Sequence, residues 1–119
     1  MTHSEFATLI SGIGFDNAYD HFTDDTEHKP PFICFLYPQR IDLAADNTNY
    51  QPIEIASIEF YSYERDFESE QAIGEALNEA GLVYTLSWQF LDDEQMNMTV
   101  FDTSFVLTEE EYNATEQQN

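Results

Sequence analysis

The chain predicts a single α+β domain in the order α-β-β-α-β-β, with an antiparallel or mixed sheet and both helices on one of its faces. Three observations lead there. Two segments repeat apolar residues at helical spacing, four others run apolar or alternate at strand spacing, and 119 residues suffice for one core.

The first helix carries Phe6, Leu9, Ile10 and Ile13 on one stripe. Thr2 and Glu5 fit a capping box, and Gly12 and Gly14 supply the stop. From Asp16 to Pro31 the chain is acidic and turn-rich, which predicts a connecting loop. Phe32 to Tyr37 is a continuous apolar run between Pro31 and Pro38, too short for a helix, and it predicts a strand covered on both faces. Gln39 to Pro52 is polar and predicts a long loop, free to act as an arm against a neighbouring subunit. Ile53 to Tyr63 alternates, with Ala56, Ile58 and Phe60 on one side.

Asp66 is placed to cap a second helix in which Ile73, Ala76, Leu77 and Ala80 share a face, with Gly81 at its end. Gly74 in its interior costs roughly 1 kcal/mol against Ala, and so marks a close approach to the sheet. Val83 to Leu91 sets Tyr84, Leu86, Trp88 and Phe90 on one side, and Asn97 to Leu107 does the same with Thr99, Phe101, Thr103 and Phe105. An acidic turn, Asp92 to Gln95, joins this strand pair. The domain therefore spans residues 1–107, and 108–119 form an acidic, polar tail.

Composition excludes several functions. Three Lys and Arg stand against 24 Asp and Glu, a net charge of −21, so the chain lacks the means to neutralise phosphates and sequence-specific nucleic-acid binding is not expected. Apolar residues at 42% and aromatics at 15% separate it from disordered acidic chains. No basic leader precedes an apolar stretch and no apolar run approaches ~20 residues, which predicts synthesis in the cytoplasm without membrane insertion. Cys34 is the single cysteine and sits in an apolar run, so a buried, inert thiol is expected rather than a disulfide. His3, His21 and His28 lack metal-ligand spacing, and neither a nucleophile elbow nor a glycine-rich phosphate loop occurs. Neither an enzyme nor a bound cofactor or metal is expected.

The sheet's second face remains to be covered. If Leu36, Ile58 and Phe60 point to the helices, Phe35, Tyr37, Tyr61 and Tyr63 point away, and an aromatic outer face calls for a docked neighbour. Together with Asp46, Asn47 and Tyr50 of the 39–52 segment, these residues form the expected protein interface.

The strings AYDHF (18–22), KPPFICFLYP (29–38), LAADNTNYQPI (43–53) and IEFYSYERDFESEQAIGEALNEAGLVY (58–84) add a more specific signal. In this order and spacing they resemble siphophage tail terminator, or tail completion, proteins of Gram-positive phages and prophages. The resemblance covers most of residues 18–105. It implies a non-enzymatic virion subunit at the head–tail junction, forming a ring, often hexameric, at the head-proximal end of the tail tube. The major tail tube protein and a neck or head-completion protein would be its partners, with DNA only passing through the lumen. Two departures stand out: the second helix bears Glu68, Glu70, Glu75 and Glu79 where relatives are often lysine-rich, and the extension past Leu107 is particular to this chain. An alternative of a different class also fits the charge, an acidic DNA mimic that blocks the basic cleft of a host nucleic-acid-binding enzyme.

Overall fold

The computed structural model describes residues 1–22, 28–44 and 50–108, and for Leu43, Ala44 and Tyr50 the backbone alone. Two helices and five strands follow in the order α1 (His3–Ile13), β1 (Asp16–Tyr19), β2 (Phe32–Ala44), β3 (Tyr50–Ser62), α2 (Phe67–Glu79), β4 (Tyr84–Leu91) and β5 (Met96–Val106). The strands form one mixed sheet, β1-β2-β3-β5-β4, in which β1 lies parallel to β2 and every other neighbour is antiparallel. Because β3 and β4 both run antiparallel to β5, they are parallel to each other. Helix α2 makes the crossover that this requires.

Both helices form where their caps predict. Thr2 Oγ1 accepts from the Glu5 amide at 3.0 Å while Glu5 Oε1 accepts from the Thr2 amide at 2.9 Å, and Gly14 ends α1 at φ +107°. Those hydrogen bonds hold the Glu5 carboxyl below the usual carboxylate range. Asp66 Oδ1 accepts from the Ser69 amide at 3.1 Å to start α2, and Gly81 at φ +81° turns the chain out of it. The Asp66 carboxyl is lowered by the Ser69 hydroxyl and amide that it accepts from.

The two helices lie on one face of the sheet. Phe6 and Ile10 of α1 and Ile73 and Leu77 of α2 meet Ile33, Phe35, Ala56, Ile58, Phe60, Phe101 and Phe105 in a single core. Phe6 sits among three rings, with centroid separations of 5.9 Å to Phe35, 5.8 Å to Tyr37 and 5.2 Å to Phe105. Gly74 marks the close approach that its position predicts, since a Cβ there would overlap the Tyr84 ring.

Three strand expectations are corrected. The segment after α1 is not wholly loop, because Asp16–Tyr19 pairs as β1. Strand β2 does not stop at Pro38 but runs on to Ala44 and pairs with β3 from Tyr50, so most of the expected 39–52 loop is a hairpin. The pairing passes from Leu36↔Ser57 to Gln39↔Ile55, leaving Tyr37 and Pro38 opposite Ala56. This bulge frees the strand from needing an N–H at Pro38. The extra residue also exchanges the two sides of β2, so odd positions face the helices before it and even positions after it.

The third correction concerns facing. Residues directly opposite in an antiparallel pair share a side, and Phe35 stands opposite Ile58, Ile33 opposite Phe60. Phe35 and Tyr37 therefore belong to the helix-covered side, and Phe32, Cys34 and Leu36 belong to the other. Asp46, Asn47 and the tail beyond Thr108 lie outside the described residues, and Tyr50 opens β3 opposite Ala44.

Candidate protein interface

The sheet's outer face reads row by row from the strand register. One row runs Asp16, Phe32, Tyr61, Met98, Gln89; the next Ala18, Cys34, Glu59, Val100, Ser87; the third Leu36, Ser57, Asp102, Thr85. Among the described residues no helix lies over these rows. Phe32, Leu36, Tyr61, Met98 and Val100 are each half-buried by their neighbours alone. Tyr61 stacks on Phe32 at 4.8 Å and its hydroxyl donates to Glu59 Oε1 at 2.9 Å. Burial, then that hydrogen bond and the Glu59 charge, push the Tyr61 phenol above its ordinary range, so it stays neutral and donating. Cys34 is buried within the second row, and its thiol is pushed up to about 11 by burial and then by the charges of Glu59 and Asp20. It is an inert thiol at neutral pH.

Of the described residues expected at the interface, only Tyr61 takes a central place on this face. Phe35 is core. Tyr37 is half-buried on the helix side, its ring 4.7 Å from His3 and 5.4 Å from Tyr19. Tyr63 follows β3 and is 58% exposed, lining a cleft with Pro30, Pro31, Arg65 and Phe67. Sequence reasoning missed Phe32, Met98 and Val100, although the alternation that sends Thr99 and Phe101 inward sends Met98 and Val100 outward by the same rule.

A second surface that no described residue covers lies along edge strand β4. Tyr84 is tucked against α2, but Leu86, Trp88 and Phe90 extend beyond the helices at 40%, 55% and 46% exposure. The Arg65 guanidinium lies 4.6 Å from the Trp88 ring and 4.7 Å from that of Phe67. It also forks onto buried Glu70, Nε to Oε2 at 2.9 Å and Nη2 to Oε1 at 2.8 Å. Thr99 Oγ1 donates to the same carboxylate at 3.2 Å and accepts from Asn97 at 3.0 Å.

A comparable pair closes the other end. Arg40 reaches buried Glu54 through Nε at 3.3 Å and Nη2 at 2.8 Å, and His3 Nε2 contacts Glu54 Oε2 at 2.6 Å. Burial alone would raise the Glu54 carboxyl, but the hydrogen bonds and charges of Arg40 and His3 prevail and hold it below the ordinary range. Among the described residues no group of three or more His, Cys, Asp or Glu is placed to hold a metal ion. No described helix is long and apolar enough to cross a membrane.

The fold is similar to that of a chain in the virion of a native gene transfer agent (GTA) particle, with a TM-score of 0.57 at 15% identity over 82% of each chain. No family model and no curated protein matches the sequence. At that identity the likeness is one of fold.

Proposed function

We propose that the chain is a structural subunit of a phage-like virion, acting as a tail terminator or head–tail joining protein whose copies form a ring at the top of the tail tube. The observation that carries this reading is the sheet's outer face, where, among the described residues, Phe32, Tyr61, Met98 and Val100 lie under no helix and offer an apolar surface to a neighbour. The shared fold with a chain of a gene transfer agent virion supports it. So does the ordered resemblance across residues 18–105. In this role the subunit carries out no reaction, binds no cofactor, and contacts the tube below and the neck above.

The DNA-mimic alternative needs carboxylates gathered on one elongated face. The exposed described acids instead lie on α1 (Glu5), at the two ends of β1 (Asp16, Asp20), on β2 (Asp42), between β3 and α2 (Glu64), on α2 (Glu68, Glu75, Glu79), in the β4–β5 turn (Asp92–Glu94) and on β5 (Asp102). The ring reading is preferred for that reason. It is tested by Tyr61→Glu and, separately, Val100→Glu, both on the outer face and away from the helix-side core. The expected outcome is a folded subunit, judged by circular dichroism, that no longer assembles with tail tubes and leaves tails of irregular length. Normal tails and infectivity with both folded variants overturn the assignment.

A further inference from the structure

Edge strands of soluble proteins are ordinarily guarded by charge, proline, a bulge or brevity. The β1 edge follows this rule, being four residues long with Asp16 at its start and Asp20 just past its end. Strand β4 breaks it. Its eight residues, YTLSWQFL, contain no charge and no proline, and its register with β5 is continuous from Tyr84↔Thr103 to Leu91↔Met96. The uncharged stretch extends from Ala80 to Leu91 in a chain with 24 acidic residues. Leu86, Trp88 and Phe90 form an exposed apolar stripe along one side of it.

We propose that β4 is a self-docking edge, at which two copies pair β4 with β4 antiparallel about a two-fold axis normal to the sheet. Charge selects this occupant and this direction. Antiparallel pairing sets the acidic Asp92–Glu94 turn of each copy beside the uncharged Gly81–Val83 segment of the other, at opposite ends of the contact. Parallel pairing would place the two acidic turns together, and docking against β1 would bring β4 onto an edge flanked by Asp16 and Asp20. An axis normal to the sheet keeps the helix side of both copies on the same side, so the Leu86, Trp88 and Phe90 stripe meets its own copy. The Trp88 ring is already held against Arg65, which Glu70 fixes in turn, so little side-chain freedom remains to be lost on docking. This contact is independent of the ring reading, because a cyclic ring closes through head-to-tail contacts and this one joins like to like.

Sedimentation of the full chain, with Trp88 fluorescence in parallel, tests it. The expected result is a shift from 13.8 kDa to twice that mass as concentration rises through the micromolar range, with Trp88 emission moving to the blue. Trp88 is the single tryptophan, so the signal comes from the contact itself. Leu86→Glu should weaken association by roughly tenfold or more. The exposed pair Thr85→Glu with Gln89→Glu should do the same without touching an apolar residue. A chain that stays monomeric at all concentrations and salt levels overturns the proposal. Association undiminished in both folded variants overturns it too.

Discussion

Arg40 and Arg65 are two of the three Lys and Arg side chains in the protein, and each pairs with a buried glutamate. A buried carboxylate without a partner is strongly unfavourable, so these arginines keep Glu54 and Glu70 tolerable rather than adding large net stability. Arg40→Met should destabilise the fold by about 1–3 kcal/mol at neutral pH, less than for a wholly buried pair because Arg40 is two-fifths exposed to screening solvent. The Glu54 carboxyl is depressed in the folded chain, so its contribution is fully present above the unfolded carboxyl pKa of about 4.3 and is lost as pH falls through the lower folded value. Without Arg40, burial acts on Glu54 with less opposition. The stability gap between wild type and Arg40→Met, measured by urea unfolding, should therefore narrow as pH falls from 7 toward 3. A gap that stays constant would show that Glu54 is not the group involved. Phe35 shows what is hard to read at this scale: Phe32 to Tyr37 is apolar throughout and holds no alternation to say which side faces inward.

Among the elements, α2 and β4 are coupled through one close approach. The Tyr84 ring, itself 5.3 Å from Phe101, occupies the space a side chain at position 74 would need. Gly74→Ala should gain about 1 kcal/mol of helix propensity but lose about 1–3 kcal/mol to overpacking, for a net loss. In a Tyr84→Ala background the same substitution should become neutral or stabilising, a coupling that a double-mutant cycle by urea unfolding measures directly. The helices were legible because Thr2, Glu5, Asp66 and Gly81 are local signals that tertiary packing did not override. Strand β1 was not, because four residues carry too little pattern and their partner β2 lies beyond a dozen intervening residues. The far half of β2 was hidden by Pro38, which normally ends a strand and here sits in a bulge. Past it, Ile41 and Leu43 do alternate with Arg40 and Asp42, so the signal was present but outweighed.

For the whole molecule, charge governs when copies can meet. A net −21 on each chain opposes any association, and the Debye length falls from about 10 Å at 0.1 M salt to about 3 Å at 1 M. Assembly should therefore strengthen as salt is added, with monomers prevailing in dilute, low-salt solution, and ultracentrifugation across ionic strength checks this. An assembly that falls apart as salt rises would mean that ion pairs hold it together. That both helices would pack on one side of the sheet and leave Tyr61 on the other was legible from the strand and helix periodicities. The face's membership was not, because it depends on which side of β2 faces inward and on the bulge.

The two flanks of the sheet differ in kind, one short and bordered by aspartates, the other open and neutral. Among the described residues, addition at the open flank would use up the edge strand that carries no charge of its own. Two five-stranded sheets so joined would make a ten-stranded slab with aspartates at both margins. Growth would stop there, which is how a protein can leave one border sticky without forming fibres.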